Sequence, residues 1–245
     1  MGASRAARPR AASAQAASGR FVVLEGIDGA GTTTQARRLV DALRERGVDA
    51  RLTAEPSAGP VGSLIRLALA RRVVVADAAG SRPPGWATLA LLFAADRLDH
   101  VEQEIAPALA AGAVVVCDRY DLSSLVYQSC TSPEGDGALP FVRAVNARAL
   151  RPDLVFVLDV PPAVAAGRRA ARGAPPELFE RDSLQARLAR GYARAEELVP
   201  GDRVVHVDGA QGVDEVFARL LEATLGVLSG ADGPGGGAAR RSRRR

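Results

Sequence analysis

The segment GIDGAGTTTQ, residues 26–35, restricts the possible folds of this chain more than any other. It follows the apolar run FVVLE at 21–25 and precedes a stretch over 33–46 in which Ala36, Leu39, Val40 and Leu43 fall on one helical face before Gly47. A strand that passes into an amphipathic helix across a glycine-rich loop is predicted to open a parallel α/β sheet. Glycines let successive backbone N–H groups turn inward, and the helix N-terminus adds partial positive charge. Such a loop is built to cradle an anion.

Gly26 and Gly31 stand at the Walker A spacing, with Gly29, Ala30 and the threonines Thr32, Thr33 and Thr34 completing the loop. Thr33 holds the position whose hydroxyl coordinates Mg²⁺ beneath a nucleotide triphosphate. Thr32 stands where such loops carry lysine. Losing one preorganised donor costs about 2.7–4 kcal/mol of transition-state stabilisation. No lysine occurs anywhere in the chain; all 32 basic residues are arginine. An arginine supplied from elsewhere can restore about a thousandfold or more in phosphoryl transfer. The expectation is that an arginine from another segment reaches the phosphate loop.

Beyond the loop, strand and helix patterns alternate. Strands are predicted at 21–25, 48–55, 113–118, 154–160 and 203–208, and helices at 33–46, 61–70, 86–110, 139–150, 161–172, 180–198 and 212–228. Residues 78–85 are expected to break the chain, and Pro107 to kink the long helix or begin a new one. The predicted fold is a three-layer α/β/α domain over residues 20–229 around a central five-stranded parallel sheet, with ligands at the carboxyl edge of the strands. Residues 1–19 and 230–245 are low-complexity and expected to be disordered tails, with net charges of +3 and +4. The whole chain carries only +4, so the body between them is net negative, which excludes a nucleic-acid-binding domain by composition. The arginine-rich tails are expected at most to touch anionic polymers weakly. No apolar run approaches the ~20 residues of a membrane span, and the first twenty residues lack the apolar core of a secretory signal. Cys117 and Cys130 have no metal-ligand spacing and suit a reducing cytoplasm.

Two further clusters carry chemistry. Phe93 and Arg97 lie four apart on one helix, so a ring and a guanidinium share a face that suits a planar base. Asp96 and Asp99 are expected on the solvated face. Asp118 and Arg119 end a buried strand, where an aspartate can hold Mg²⁺ and an arginine can clamp a phosphate with two parallel bonds. Of the histidines, His100 is expected exposed or paired, and His206 as a core residue.

In order, LEGIDGAGTTTQ, TAEPS, LLFAADR, DRYDLSSLVYQ and RPDLVFVLDV resemble the thymidylate kinases over about residues 20–228. The resemblance implies the P-loop kinase fold with a helical lid at about 165–182, ATP and dTMP as substrates, Mg²⁺, and a homodimer formed through helices including the 86–105 stretch. It implies that Phe93 stacks on thymine and Arg97 contacts the base. Arg119 would bind the acceptor phosphate, and Tyr127 would favour deoxyribose. Glu55, Pro56, Ser124 and Gln128 would line the same pocket, and Asp28 would stand near the acceptor phosphate and metal, unless it serves only as a turn or cap residue. Arg168, Arg169 and Arg172 would serve the transferring phosphate. Three departures accompany it: Thr32, Ala54 before Glu55, and ELFE at 177–180. Arg66 or a lid arginine is the candidate replacement for the missing lysine. The alternatives are a kinase for another deoxynucleotide or deoxynucleoside, and a catalytically weak nucleotide-binding module.

Overall fold

The computed structural model describes residues 19–77, 80–173 and 178–230. Its centre is a five-stranded parallel sheet of β1 (Arg20–Gly26), β2 (Ala50–Ala54), β5 (Val114–Asp118), β6 (Leu154–Asp159) and β7 (Val204–Asp208), in the order β2-β5-β1-β6-β7. These are the five strands expected from the sequence. β1, β5 and β6 are buried almost throughout, which explains their near-continuous apolar runs. Leu24 and Ala54 both align with Asp118, Gly26 with Leu158, and Asp159 with Asp208. The strand ends that carry Gly26, Asp118 and Asp159 therefore share one carboxyl edge.

Two layers of helix cover the sheet. On one face, α1 (Thr32–Glu45) packs against α10 (Val213–Leu228). The other carries α5 (Asp121–Thr131), packed against α3 (Trp86–His100), α6 (Leu139–Val145) and α8 (Asp182–Tyr192). Around these lie α2 (Pro60–Leu69), α4 (Ala106–Ala110), α7 (Pro162–Arg172) and α9 (Ala195–Leu198). Gly47, at φ 78°, ends α1 in the left-handed region open to glycine.

Three local features differ from expectation. Residues 78–85 do not simply break the chain: a short antiparallel hairpin pairs β3 (Val75–Asp77) with β4 (Gly80–Arg82). Pro107 stands in the first turn of a following segment, α4, one of its two expected places, and a π turn over Val101–Ile105 precedes it. Proline lacks the donor for the carbonyl four residues back and its ring crowds that carbonyl, so the preceding turn loosens. α5 was not marked by any apolar stripe, because it is buried on nearly every face, polar Asp121, Ser124, Gln128 and Ser129 included. Gly19, expected in the first tail, donates its N–H to Leu109 O at 3.3 Å and belongs to the fold. The other proposed tail residues lie outside the described residues, except Gly230, which closes the end of α10. So do residues 174–177 of the expected lid.

Candidate active site

Gly31 caps α1 at φ 100°, with no atom near the place where a Cβ would stand, so the need for glycine there is conformational alone. Gly29 is needed for space as well. A Cβ on it would lie 2.5 Å from the carbonyl oxygen of Ala165, because α7 rides directly on the loop. Thr32 is buried. The Thr33 hydroxyl donates to Asp118 Oδ2, tying the start of α1 to the end of β5. The other carboxylate oxygen, Asp118 Oδ1, is buried without a hydrogen-bond partner. A hydroxyl beside an orphaned carboxylate oxygen is a donor set suited to Mg²⁺, which takes one or two protein ligands and keeps its waters. Thr34 lines a second groove with Ala30, Gly31, Gln35 and Arg168.

Two lid arginines reach the glycine loop. Arg168 donates to Ala30 O at 3.1 Å and to Gly209 O at 3.0 Å. Arg169 donates to Asp28 O at 2.6 Å and to Asp182 Oδ1 at 3.1 Å. Arg172 does not join them; it is 58% exposed and pairs with Glu180 at 3.5 Å. Arg66 is also turned elsewhere. Its guanidinium donates to Pro56 O at 3.0 Å and Ser57 O at 2.5 Å, so it braces the loop after β2.

Arg119 sits at φ 70°, a left-handed conformation that is uncommon for a non-glycine residue. Its Nη1 donates to Gly26 O at 2.8 Å and to Tyr192 Oη at 3.2 Å, and its Nη2 to Asp28 Oδ1 at 2.7 Å. The Tyr127 hydroxyl donates to the same Asp28 oxygen at 3.1 Å. Burial pushes the Tyr127 phenol up, so it remains a neutral donor. Burial opposes the charge on Arg119, but its surroundings, Asp28 and Asp118 among them, more than offset it.

Beneath Arg119 lies a residue that sequence analysis missed. Glu25 is fully buried and accepts the backbone N–H groups of Tyr120 at 2.9 Å and Ser123 at 3.1 Å. Its second oxygen accepts the hydroxyls of Ser123 at 2.5 Å and Tyr192 at 3.1 Å. Burial pushes its pKa up to about 7 against the pull of these donors and of Arg119. The signal available was a lone acid at the end of an apolar strand.

A cavity beside this cluster is lined by Asp28, Phe93, Arg97, Arg119, Tyr127 and Gln128, among others. Glu55, Pro56 and Ser124 also line it, so every expected acceptor residue meets at one place. Arg97 is 1% exposed, donates to Glu55 Oε2 at 2.6 Å and Ser124 Oγ at 3.2 Å, and also bonds Asn146 Oδ1. Burial opposes its charge and Glu55 restores it. Three buried polar atoms of cavity-lining residues lack partners: Arg97 Nε, Tyr120 Oη and Gln128 Oε1. Unsatisfied buried polar groups are rare in folded proteins, and three around one cavity mark a polar ligand site.

Asp96 and His206 correct the sequence expectations, whereas His100 is paired, one of its two expected states. Asp96 is not solvated; it is fully buried and accepts the N–H and hydroxyl of Ser57 at 2.7 and 2.6 Å. Asp99 is half-buried. His100 is buried and paired, contacting Thr53 Oγ1 at 2.6 Å and Glu55 Oε1 at 3.4 Å. His206 is not in the core. It lies on an exposed edge, 2.7 Å from Asp159 Oδ2 and 3.4 Å from Glu196 Oε2.

This arrangement agrees with the relatives of the chain. The family model described as thymidylate kinase matches residues 24–220. The thymidylate kinase of Alkalilimnicola ehrlichii is 39% identical over 86% of this chain and 94% of its own length. The probable thymidylate kinase of Pyrococcus abyssi is 41% identical over 86% and 98%, and the thymidylate kinase of Rhizorhabdus wittichii 38% identical over 86% and 99%. With its phosphate loop, acceptor cavity and five-stranded sheet, the chain belongs to the thymidylate kinase family.

Proposed function

We propose that this chain transfers the γ-phosphoryl group of ATP to dTMP, giving dTDP and ADP. The observation that carries this is the cavity on which every expected acceptor residue meets beside the Asp28–Arg119 pair, three of its lining residues holding a buried polar atom without a partner. A phosphate oxygen of dTMP attacks the γ-phosphorus, and the bond to the β–γ bridging oxygen breaks. Neither partner needs covalent help, so positioning and charge neutralisation do the catalysis. Phe93 stacks on thymine, Arg97 and Gln128 meet its polar edge, and Tyr127 crowds the sugar. Glu55, Pro56 and Ser124 complete the wall, while Arg119 clamps the acceptor phosphate beside Asp28. Gly26, Gly29, Ala30, Gly31 and the three threonines hold the ATP phosphates.

Thr33 and Asp118 would hold Mg²⁺, which would neutralise charge on the β- and γ-phosphates when bound. We further propose a homodimer, supported by exposed Leu64 and Leu67 on α2 and Leu91 and Leu98 on α3, working in the cytoplasm. Among the described residues no helix is long and apolar enough to cross a membrane. Purified protein given Mg·ATP is expected to release ADP with dTMP and far less with dUMP, dCMP or thymidine. ATP binding without ADP release for any acceptor would defeat the proposal.

The replacement for the missing lysine has its own test. Arg168 and Arg169 bring two positive charges onto the loop's own carbonyls. Thr32→Lys is therefore expected to change kcat by less than about tenfold. A gain of a hundred- to thousandfold, the usual worth of one preorganised donor, would mean that no arginine fills that role.

A further inference from the structure

Gln185 lies on α8, 157 residues from Asp28 in sequence, and is fully buried. Its amide Nε2 donates to Asp28 Oδ2 at 2.8 Å and to the carbonyl of Phe179 at 2.8 Å. Its Oε1 accepts the backbone N–H of Asp28 at 3.1 Å. One uncharged side chain thus grips the glycine-loop aspartate at two points and ties it to a third. That third point carries Phe179, which lines the acceptor cavity edge-on to Tyr127 with ring centroids 5.3 Å apart.

The chemistry of the amide is specific to this position. The side chain must present a donor to a carboxylate and an acceptor to an N–H at once, and it must do so without charge. A carboxylate there would repel Asp28. A guanidinium would have no acceptor for the N–H and would compete with Arg119 for the carboxylate. A primary amide offers both functions from one planar group, with a second N–H left for the Phe179 carbonyl. With Gln185 on Oδ2 and Arg119 with Tyr127 on Oδ1, both oxygens of Asp28 are fixed.

We propose that Gln185 is a positioning residue for phosphoryl transfer. It sets the Asp28 carboxylate on the acceptor side and couples it to the Phe179 segment that roofs the cavity. This rests on Asp28 belonging to the acceptor-side machinery, so the test separates the two claims. Gln185→Leu, close in shape and without donor or acceptor, is expected to lower kcat/KM for dTMP by about thirtyfold. Most of that is expected in KM for dTMP, with KM for ATP within twofold of the parent. In an Asp28→Ala background the same change is expected to cost less than threefold, since residues acting as one unit are not additive. Gln185→Glu, which keeps the shape and sets a carboxylate against Asp28, is expected to lose at least as much; it carries the cycle if the leucine variant does not fold. The proposal is overturned if both variants stay within twofold of the parent, if the loss persists undiminished without Asp28, or if KM for ATP rises equally. An Asp28→Ala variant of normal activity would remove the underlying role of Asp28 as well. An impaired Asp28→Ala beside a normal Gln185→Leu would remove only the role of Gln185.

Discussion

Replacement of Arg119 by alanine is expected to lower kcat/KM for dTMP by about a thousandfold, close to 4 kcal/mol of transition-state stabilisation. Its guanidinium is the cation joined to both Gly26 O and Asp28, and it lines the acceptor cavity. The acceptor phosphate must be held where its oxygen can reach the γ-phosphorus, and its charge must be offset as the two anions approach. In the proposed function both tasks fall to this group. Arg119→Lys keeps the charge but loses the planar fork that bonds two oxygens in parallel. It is expected to recover about tenfold of the loss and no more. Steady-state kinetics with dTMP varied at saturating Mg·ATP decide the matter. If Arg119→Ala loses less than tenfold, Arg119 does not touch the phosphate and serves only to brace Asp28.

The difference between what was and was not legible in the sequence has a physical origin. Glycine spacing and apolar periodicity report backbone conformation and buried faces, and these placed the phosphate loop and the five strands. They do not report which polar groups meet across the fold. Glu25 finds its donors on Tyr120, 95 residues away, and Gln185 finds Asp28 across 157 residues. Each is a lone polar residue in an ordinary pattern until the sheet and α8 bring its partner close. Asp96 shows the same limit from the other side. Three residues from Phe93 on α3, it was expected on a wet face, but Ser57 supplies two donors that make burial tolerable. The apolar stripe on which such helix-face arguments depend is absent from α3, where buried Asp96, Arg97 and His100 interrupt the pattern. Arg66 was a reasonable source of charge by sequence position, yet its reach is set by α2, which turns it to the carbonyls of Pro56 and Ser57.

The second large effect concerns stability, and it is asymmetric. Arg97 and Glu55 form an ion pair with both side chains 2% exposed. Removing one partner of a buried pair costs about 3–5 kcal/mol, because the other charge is left without compensation, against a typical total stability of about 5–15 kcal/mol. Arginine cannot shed its proton in a protein, whereas a stranded glutamate can take one up and become neutral. Glu55→Leu is therefore expected to cost more than Arg97→Met, by about 1–2 kcal/mol, in urea unfolding at pH 7. The double variant replaces both charges with apolar groups of similar size. It is expected to regain most of the lost stability, since exchanging a buried pair for packed side chains is often neutral. It is not expected to regain dTMP affinity, because Arg97 and Glu55 both line the cavity and their polar groups disappear with the side chains. Stability restored with KM for dTMP still raised at least tenfold assigns the pair to the substrate site. Recovery of both would assign the pair to the fold alone, leaving base recognition to Phe93 and Gln128.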